Sequence, residues 1–278
     1  MTDNGMADRG MRARLTAAVV EALARRTRYL ESELLGLRHL VGAGSVCADV
    51  GAAAGLYTQA LSQLAGPSGQ VHSVEPLAFA HPVWTRVLGT RNAPNVRQHA
   101  MALGAEPGRG LMSVPVGRYG MVTGRSFLAD RCRGLGSNAE FGGQVDVSVP
   151  VGTLDGLGLS RLDFIKIDVE GGELGVLHGG AGVIDAFRPA LLVEIEARHT
   201  ARYEYGPPEL AGWLARRGYR MYAWRQGWQE ARQVRPEVRN YLFRQIGQPW
   251  PRAAGVICPA GAASRPRTTA DSGAPTSV

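Results

Sequence analysis

The spacing of apolar residues changes near residue 45. In residues 11–40 the apolar side chains recur at helical spacing, which predicts one or two helices. From there on, short apolar runs of strand length alternate with amphipathic stretches of helix length. The runs that predict buried strands are Val46–Val50, Gln70–Val74, Arg97–Ala102, Phe164–Val169 and Leu191–Ile195, followed by a final pair, Tyr219–Ala223 and Asn240–Phe243.

The amphipathic stretches between these runs predict Leu56–Leu64, Pro82–Leu88, Glu173–Phe187 and Glu209–Arg217 as helices. Alternating strands and helices favour a mostly parallel sheet with helices on both faces. Gly-rich residues 105–155 interrupt this order and indicate an insertion, which at the carboxyl ends of strands commonly shapes a substrate pocket.

Composition divides the chain into three parts. We expect an N-terminal helical segment at 1–40, an α/β domain at 41–247 and a disordered tail at 248–278, where Pro, Ala, Gly, Ser and Thr dominate. No apolar run approaches the roughly 18 residues of a membrane-spanning helix, so we expect no membrane partner. Three scattered cysteines give no disulfide framework, which favours a cytoplasmic location.

The net charge of +7 raises the question of an anionic partner such as nucleic acid. Lys166 is the only lysine among the 31 basic residues. Such dominance of Arg indicates a bias in composition rather than a binding surface. Arg and aromatic residues do interleave between residues 198 and 252, a pattern that can bind single-stranded RNA but more often covers a core.

A glycine loop follows the first predicted strand, from Asp49 to Gly55, and Glu75 ends the second strand. A Gly-rich turn followed about 20 residues later by an acidic side chain is typical of adenosine cofactors, whose ribose hydroxyls the carboxylate binds. A dinucleotide requires a second glycine where Ala53 stands, and Asp49 would repel a pyrophosphate. The loop therefore favours S-adenosylmethionine, which has a sulfonium and no phosphate.

Three stretches make the chain resemble the FkbM-type methyltransferases, a family of S-adenosylmethionine-dependent O-methyltransferases. Residues 49–58 (D-V-G-A-A-A-G-L-Y-T) are similar to the family's D-V-G-A-N-x-G-x-x-T, and Glu75 begins its E-P step. Residues 153–155 (T-L-D) and 163–173 (D-F-I-K-I-D-V-E-G-G-E) are similar to its longest motif. Ala53 replaces an Asn, and Glu196 stands where the family often has His, with His199 shortly after.

The resemblance implies an α/β, Rossmann-like class I methyltransferase fold. Its sheet would be mostly parallel and seven-stranded, with helices on both faces and an antiparallel last strand. It further implies that Met101 and Ala102 flank the adenine and that Glu75 holds the ribose. The cofactor contacts that we expect come from Asp49, Gly51, Ala52, Ala53, Gly55, Tyr57, Glu75, Pro76, Met101, Ala102 and Asp168.

Methyl transfer requires the acceptor oxygen to be held in line with the sulfonium methyl and to lose its proton. We expect this chemistry beyond the fourth and fifth strands, with Asp168, Glu170, Glu194 and His199 as catalytic candidates. Lys166 shares a strand face with Asp168, and either an ion pair or a direct role fits it. Magnesium on Asp168 and Glu194 is the alternative mechanism, and no metal is expected.

The expected reaction is transfer of a methyl group to a hydroxyl of a small molecule, such as a sugar or a secondary metabolite. The alternatives are an RNA-directed methyltransferase, although nucleic acid is not the expected partner, and a non-catalytic module that binds the cofactor. The sequence leaves a homo-oligomer open.

Overall fold

The computed structural model describes residues 31–77, 93–130 and 132–250. The helices predicted before residue 31, the predicted helix Pro82–Leu88, and the predicted tail from residue 251 onward lie outside these ranges. Within them, no helix has the length and apolar character that crossing a membrane requires.

The described residues form thirteen strands in two sheets. The strands are β1 (Val46–Val50), β2 (Gln70–Val74), β3 (Val96–His99), β4 (Ala102–Leu103), β5 (Gly108–Gly117), β6 (Gly120–Met121), β7 (Phe127–Leu128), β8 (Gly143–Gly152), β9 (Phe164–Ile167), β10 (Ala190–Glu194), β11 (Tyr219–Trp224), β12 (Trp228–Glu230) and β13 (Asn240–Gln245).

Five α-helices accompany these strands. They are α1 (Leu56–Ala65), α2 (Glu173–His178), α3 (Ala181–Phe187), α4 (Ala197–Thr200) and α5 (Pro207–Ala215), and a 3₁₀ helix over Ser32–His39 precedes them in the described part of the chain.

The main sheet has eight strands in the order β12-β11-β13-β10-β9-β1-β2-β3. The strands from β10 to β3 are parallel to their neighbours, while β13 is antiparallel to both β10 and β11. The predicted α/β class and the antiparallel last strand agree with this order. The expected seven-stranded, mostly parallel sheet is corrected to an eight-stranded mixed sheet, because β12 adds an antiparallel edge strand beside β11.

Alternate residues of the central strands face opposite sides of the sheet, as the pleat requires. In β1, Cys47 packs in a core cluster with Leu61 of α1 and Leu37 of the 3₁₀ helix. Ala48 and Val50 pack in the other cluster, with side chains of α2, α3 and α5. Helices therefore cover both faces. The 3₁₀ helix belongs to this packing, and the predicted division at residue 40 stays a prediction.

The helix predicted over Glu173–Phe187 is two helices, because Gly179 and Gly180 separate α2 from α3. A Cβ on Gly179 would lie 2.1 Å from the carbonyl oxygen of Gly104, and one on Gly180 would lie 2.5 Å from Leu154. Contact with neighbouring loops therefore requires glycine at both positions, and the helical spacing of apolar residues continues across the break.

The insertion folds as a second sheet in the order β4-β8-β5-β6, with β7 also paired to β5. Strands β5 and β8 pair along nearly their whole length, from Gly108 opposite Val151 to Val116 opposite Gly143. The single strand predicted over Arg97–Ala102 is divided, since β3 joins the main sheet and Ala102 begins β4 in the second. This division places the second sheet beside the carboxyl ends of the main-sheet strands.

Candidate active site

A cavity of ≈ 800 Å³ lies at the carboxyl ends of β1, β2, β9 and β10, and residues of the second sheet form part of its wall. Its carboxyl side chains outnumber its Arg side chains by seven to four among the described residues. The sequence-predicted site residues that line it are Gly51, Ala53, Glu75, Pro76, Met101, Ala102, Asp168, Glu170 and Glu194.

Gly51 lies where the loop after β1 meets the end of β9. Its φ is +79°, and a Cβ there would lie 1.7 Å from the carbonyl oxygen of Asp168. The N–H groups of Gly51 and Ala52 donate to the carbonyl of Val74, at 3.0 and 3.1 Å. Only glycine satisfies both the left-handed conformation and this close approach.

Glu75 is held at the cavity by two backbone donors. The N–H of Ala53 donates to one carboxylate oxygen and the N–H of Leu77 to the other, both at 2.8 Å. Ala53 has a φ of +45°, a left-handed conformation that Asn adopts more readily than other non-glycine residues. An Asn, which the resemblance places at this position in the family, would fit the same conformation.

Four of the expected cofactor contacts support the loop and do not line the cavity. Asp49 is buried and accepts a hydrogen bond from the Thr58 hydroxyl at 2.6 Å, and burial raises the pKa of its carboxyl to about 6. Ala52 is also buried, and Gly55 begins α1 with a φ of +89°. Tyr57 donates its hydroxyl to Glu31 at 2.5 Å. Their roles toward the cofactor stay predictions.

Lys166 is buried in the sheet and does not line the cavity. Its ammonium donates to Asp168 at 3.2 Å and to the Asn240 amide oxygen at 2.7 Å, and it lies 5.2 Å from the centre of the Tyr57 ring. Burial opposes its charge, but the carboxylates of Asp168, Glu31 and Glu194 together raise its pKa. Of the two readings, the geometry favours an ion pair that orients Asp168.

Glu170, Glu194 and His199 come together beneath the cavity from three different elements. His199 of α4 places Nε2 3.2 Å from Glu170 and Nδ1 3.6 Å from Glu194. Glu170 follows β9 in a left-handed conformation, and Glu194 ends β10. His199 is 1% exposed and lies behind the two carboxylates that line the cavity. The sequence analysis named Glu170, Glu194 and His199 as catalytic candidates, and the fold brings their side chains together.

The electrostatics of these three residues are set mainly by burial. Burial, with the nearby Asp168 carboxylate, raises the pKa of Glu170 to about 8 and raises that of Glu194 strongly. Burial and the positive charge of Arg198 lower the pKa of His199 to about 4. His199 is therefore a neutral imidazole at pH 7.

Glu173 holds the turn between β9 and α2. One oxygen of its buried carboxylate accepts the N–H groups of Val169 and Gly171, at 3.1 and 3.0 Å. The hydroxyl of Tyr205 lies 3.2 Å from the other oxygen. Glu173 thus orders the loop that carries Asp168 and Glu170, consistent with a structural role at a helix start.

The insertion contributes cavity residues that no motif indicated, among them Arg109, Thr123 and Arg125. Arg202, which is 1% exposed, joins the segment between β7 and β8 to the turn after β9, because it donates to the carbonyls of Leu135 and Glu170. The position of the insertion in the chain was the only sequence signal that it would form a cavity wall.

The model of the FkbM methyltransferase domain matches residues 49–221, more than half of the chain. The chain belongs to the FkbM methyltransferase family. The match covers the glycine loop, Glu75, the motif around Asp168 and the second sheet. It confirms both the resemblance and the predicted enzyme class, that of the methyltransferases.

Solved structures similar to this chain include three proteins of low sequence identity. An FkbM methyltransferase from Methylobacillus flagellatus is 19% identical, and the alignment covers 73% of this chain and 44% of that chain with a TM-score of 0.44. A SAM-dependent O-methyltransferase from Thermotoga maritima is 11% identical, with coverages of 81% and 69% and a TM-score of 0.42. Aeropyrum pernix fibrillarin with natively bound S-adenosyl-L-methionine is 13% identical, with coverages of 77% and 73% and a TM-score of 0.41. The chain thus spans less than half the length of the Methylobacillus protein. A search of curated proteins found no match.

Proposed function

We propose that this protein transfers the methyl group of S-adenosylmethionine to a hydroxyl of a small molecule, such as a sugar or a secondary metabolite. The observation that carries the proposal is the shared cavity. Glu75 and the Gly51 loop, which suit the cofactor, line the same space as Asp168, Glu170 and Glu194, which suit the chemistry. The cavity volume lies within the range usual for small-molecule sites.

The cavity fits a cationic cofactor. The Glu75 carboxylate, oriented by the N–H groups of Ala53 and Leu77, is an acceptor of the kind that binds ribose hydroxyls. Gly51 lets the methionine part approach the backbone, and Met101 and Ala102 supply a surface for the adenine ring. The carboxyl groups still outnumber the guanidinium groups when Glu170 and Glu194, whose pKa values burial raises, are counted as neutral, and this balance favours a sulfonium.

The reaction needs little covalent chemistry from the protein. The acceptor oxygen attacks the methyl carbon, the carbon–sulfur bond breaks, and its electron pair remains on sulfur in S-adenosylhomocysteine. The hydroxyl proton passes to a carboxylate at the cavity wall. Asp168, oriented by Lys166, is the residue that we assign to hold the acceptor hydroxyl and take its proton.

Several of the aromatic residues that suggested an RNA-directed methyltransferase are buried and cannot contact RNA. Trp213, Tyr219 and Trp228 are buried, and the Arg217 guanidinium lies 3.5 Å from the centre of the Trp213 ring. These side chains cover the core and are not placed to stack on bases. A cytoplasmic location and a homo-oligomer stay predictions.

Mass spectrometry of the methylated product tests the proposal. The purified protein is incubated with S-adenosylmethionine and panels of sugars, sugar-containing metabolites and phenols, and separately with RNA. We expect S-adenosylhomocysteine and a product heavier by one methylene in a hydroxyl panel, and none with RNA. Methylation of RNA alone would favour the alternative, and tight cofactor binding with no product in any panel would favour the non-catalytic module.

A further inference from the structure

We propose that Glu170, Glu194 and His199 bind a divalent transition-metal ion, with Mn²⁺ as the best match, at the inner end of the cavity. One ligand atom from each residue lies within 4.8 Å of the other two. Ligand atoms on one ion at about 2.0–2.2 Å stand on the order of 3–4 Å apart. Small side-chain rotations therefore bring all three onto a single ion.

Unsatisfied polar atoms at the site supply independent evidence for a ligand. Both ring nitrogens of His199 and one oxygen each of Glu170 and Glu194 are buried. The nitrogens face these oxygens at 3.2 and 3.6 Å, but none of the four atoms makes a hydrogen bond within the described part of the chain. His199 is 1% exposed and Glu194 is 6% exposed. A buried polar group without a hydrogen bond costs about 1–3 kcal/mol, and a ligand shared by all three residues would satisfy these atoms together.

The donor set selects the class of ion. Two carboxylate oxygens suit Mg²⁺, Ca²⁺ and Mn²⁺, whereas an imidazole nitrogen suits first-row transition metals. Mn²⁺ accepts both donor types.

The described cationic side chains near this cluster do not donate hydrogen bonds to the Glu170 and Glu194 oxygens named above. Lys166 is engaged by Asp168 and Asn240, and Arg198 pairs with Glu196. Among the described residues, Arg125 places its Nε 3.9 Å from Glu170, beyond hydrogen-bonding distance.

An ion at this position would be open to the cavity, because Glu170 and Glu194 line it. This step rests on the proposed function: the open coordination position would bind the acceptor hydroxyl and make its proton easier to remove. Metal binding itself does not depend on the acceptor and can be measured without turnover.

Mn²⁺ binding by the full-length protein, freed of metal with a chelator, tests the site. The six-line electron paramagnetic resonance signal of free Mn²⁺ is titrated against the protein, followed by competition with Mg²⁺ and Zn²⁺. We expect one ion per chain, displaced by Zn²⁺ and at least tenfold less readily by Mg²⁺. Glu170→Gln should weaken Mn²⁺ binding by at least tenfold.

The control is Glu196→Gln, which removes a carboxylate near the same strand end. Glu196 pairs with Arg198 and Arg239 and lies outside the cluster, so Mn²⁺ binding should match the wild type. Circular dichroism confirms that each variant is folded. No bound Mn²⁺ in the folded wild type, or equal loss in both variants, overturns the site. S-adenosylmethionine titrated in parallel shows separately whether the cofactor binds.

Discussion

Replacing Gly51 by Ala is expected to destabilise the fold by more than about 4 kcal/mol and to abolish cofactor binding. The new Cβ would lie 1.7 Å from the carbonyl oxygen of Asp168, and the residue would keep a φ of +79°. Relief requires β1 and β9 to separate where the loop meets the cavity. Thermal unfolding should show a fall of roughly 10 °C or more, at about 2–4 °C per kcal/mol.

Gly158→Ala is the matched control. Gly158 has a φ of +63°, but a Cβ there meets nothing within 4 Å. The variant should therefore lose only about 1–2 kcal/mol of its free energy of unfolding, the cost of an alanine in the left-handed conformation, and its affinity for the cofactor should be unchanged. Equal melting temperatures for the two variants would contradict the close approach at Gly51.

Asp168→Asn is expected to lower kcat by roughly 10²–10⁴-fold while the protein stays folded and still binds the cofactor. Asn keeps an acceptor for the Lys166 ammonium, which now donates to Asp168 at 3.2 Å, but it cannot take the acceptor proton. Single-turnover kinetics with the acceptor found in the panels would measure the chemical step directly.

Asp185→Asn serves as the control, because Asp185 lies on α3, pairs with Arg217 at 3.1 Å and does not line the cavity. Its kcat should equal that of the wild type. If Asp168→Asn retained kcat within about threefold, Asp168 would have no part in proton removal, and the assignment would pass to Glu170 or to a metal-bound acceptor.

The sequence predicted the parts of the cavity that local motifs encode. The glycine turn after the first strand predicts a backbone that another group approaches closely, and Gly51 is that residue. Glu75 follows the second strand, so it lies at the same edge of the sheet. These local rules hold because the carboxyl ends of parallel strands meet at one edge.

The second sheet and the cluster around His199 depend on contacts that are distant in sequence. β5 and β8 pair across the insertion, and the period of apolar residues did not show which strands would partner. His199 meets Glu170 only because α4 packs against the turn after β9, where Gly171 approaches the carbonyl of His199. The break between α2 and α3 at Gly179 also depends on a distant contact, because Gly179 packs against the carbonyl of Gly104, 75 residues earlier in the chain.

Calorimetric titration of S-adenosylmethionine into the wild type, Glu75→Gln and Glu209→Gln tests the central claim, that the cavity is the cofactor site. Glu209 is exposed in the first turn of α5, outside the cavity, so its variant controls for the change of charge. We predict one binding site per chain in the wild type and in Glu209→Gln, with equal affinity. In Glu75→Gln the affinity should be about 10–100-fold weaker, because a hydrogen bond to a charged group is lost. Equal affinity in all three proteins, or no binding by the wild type, would contradict the account.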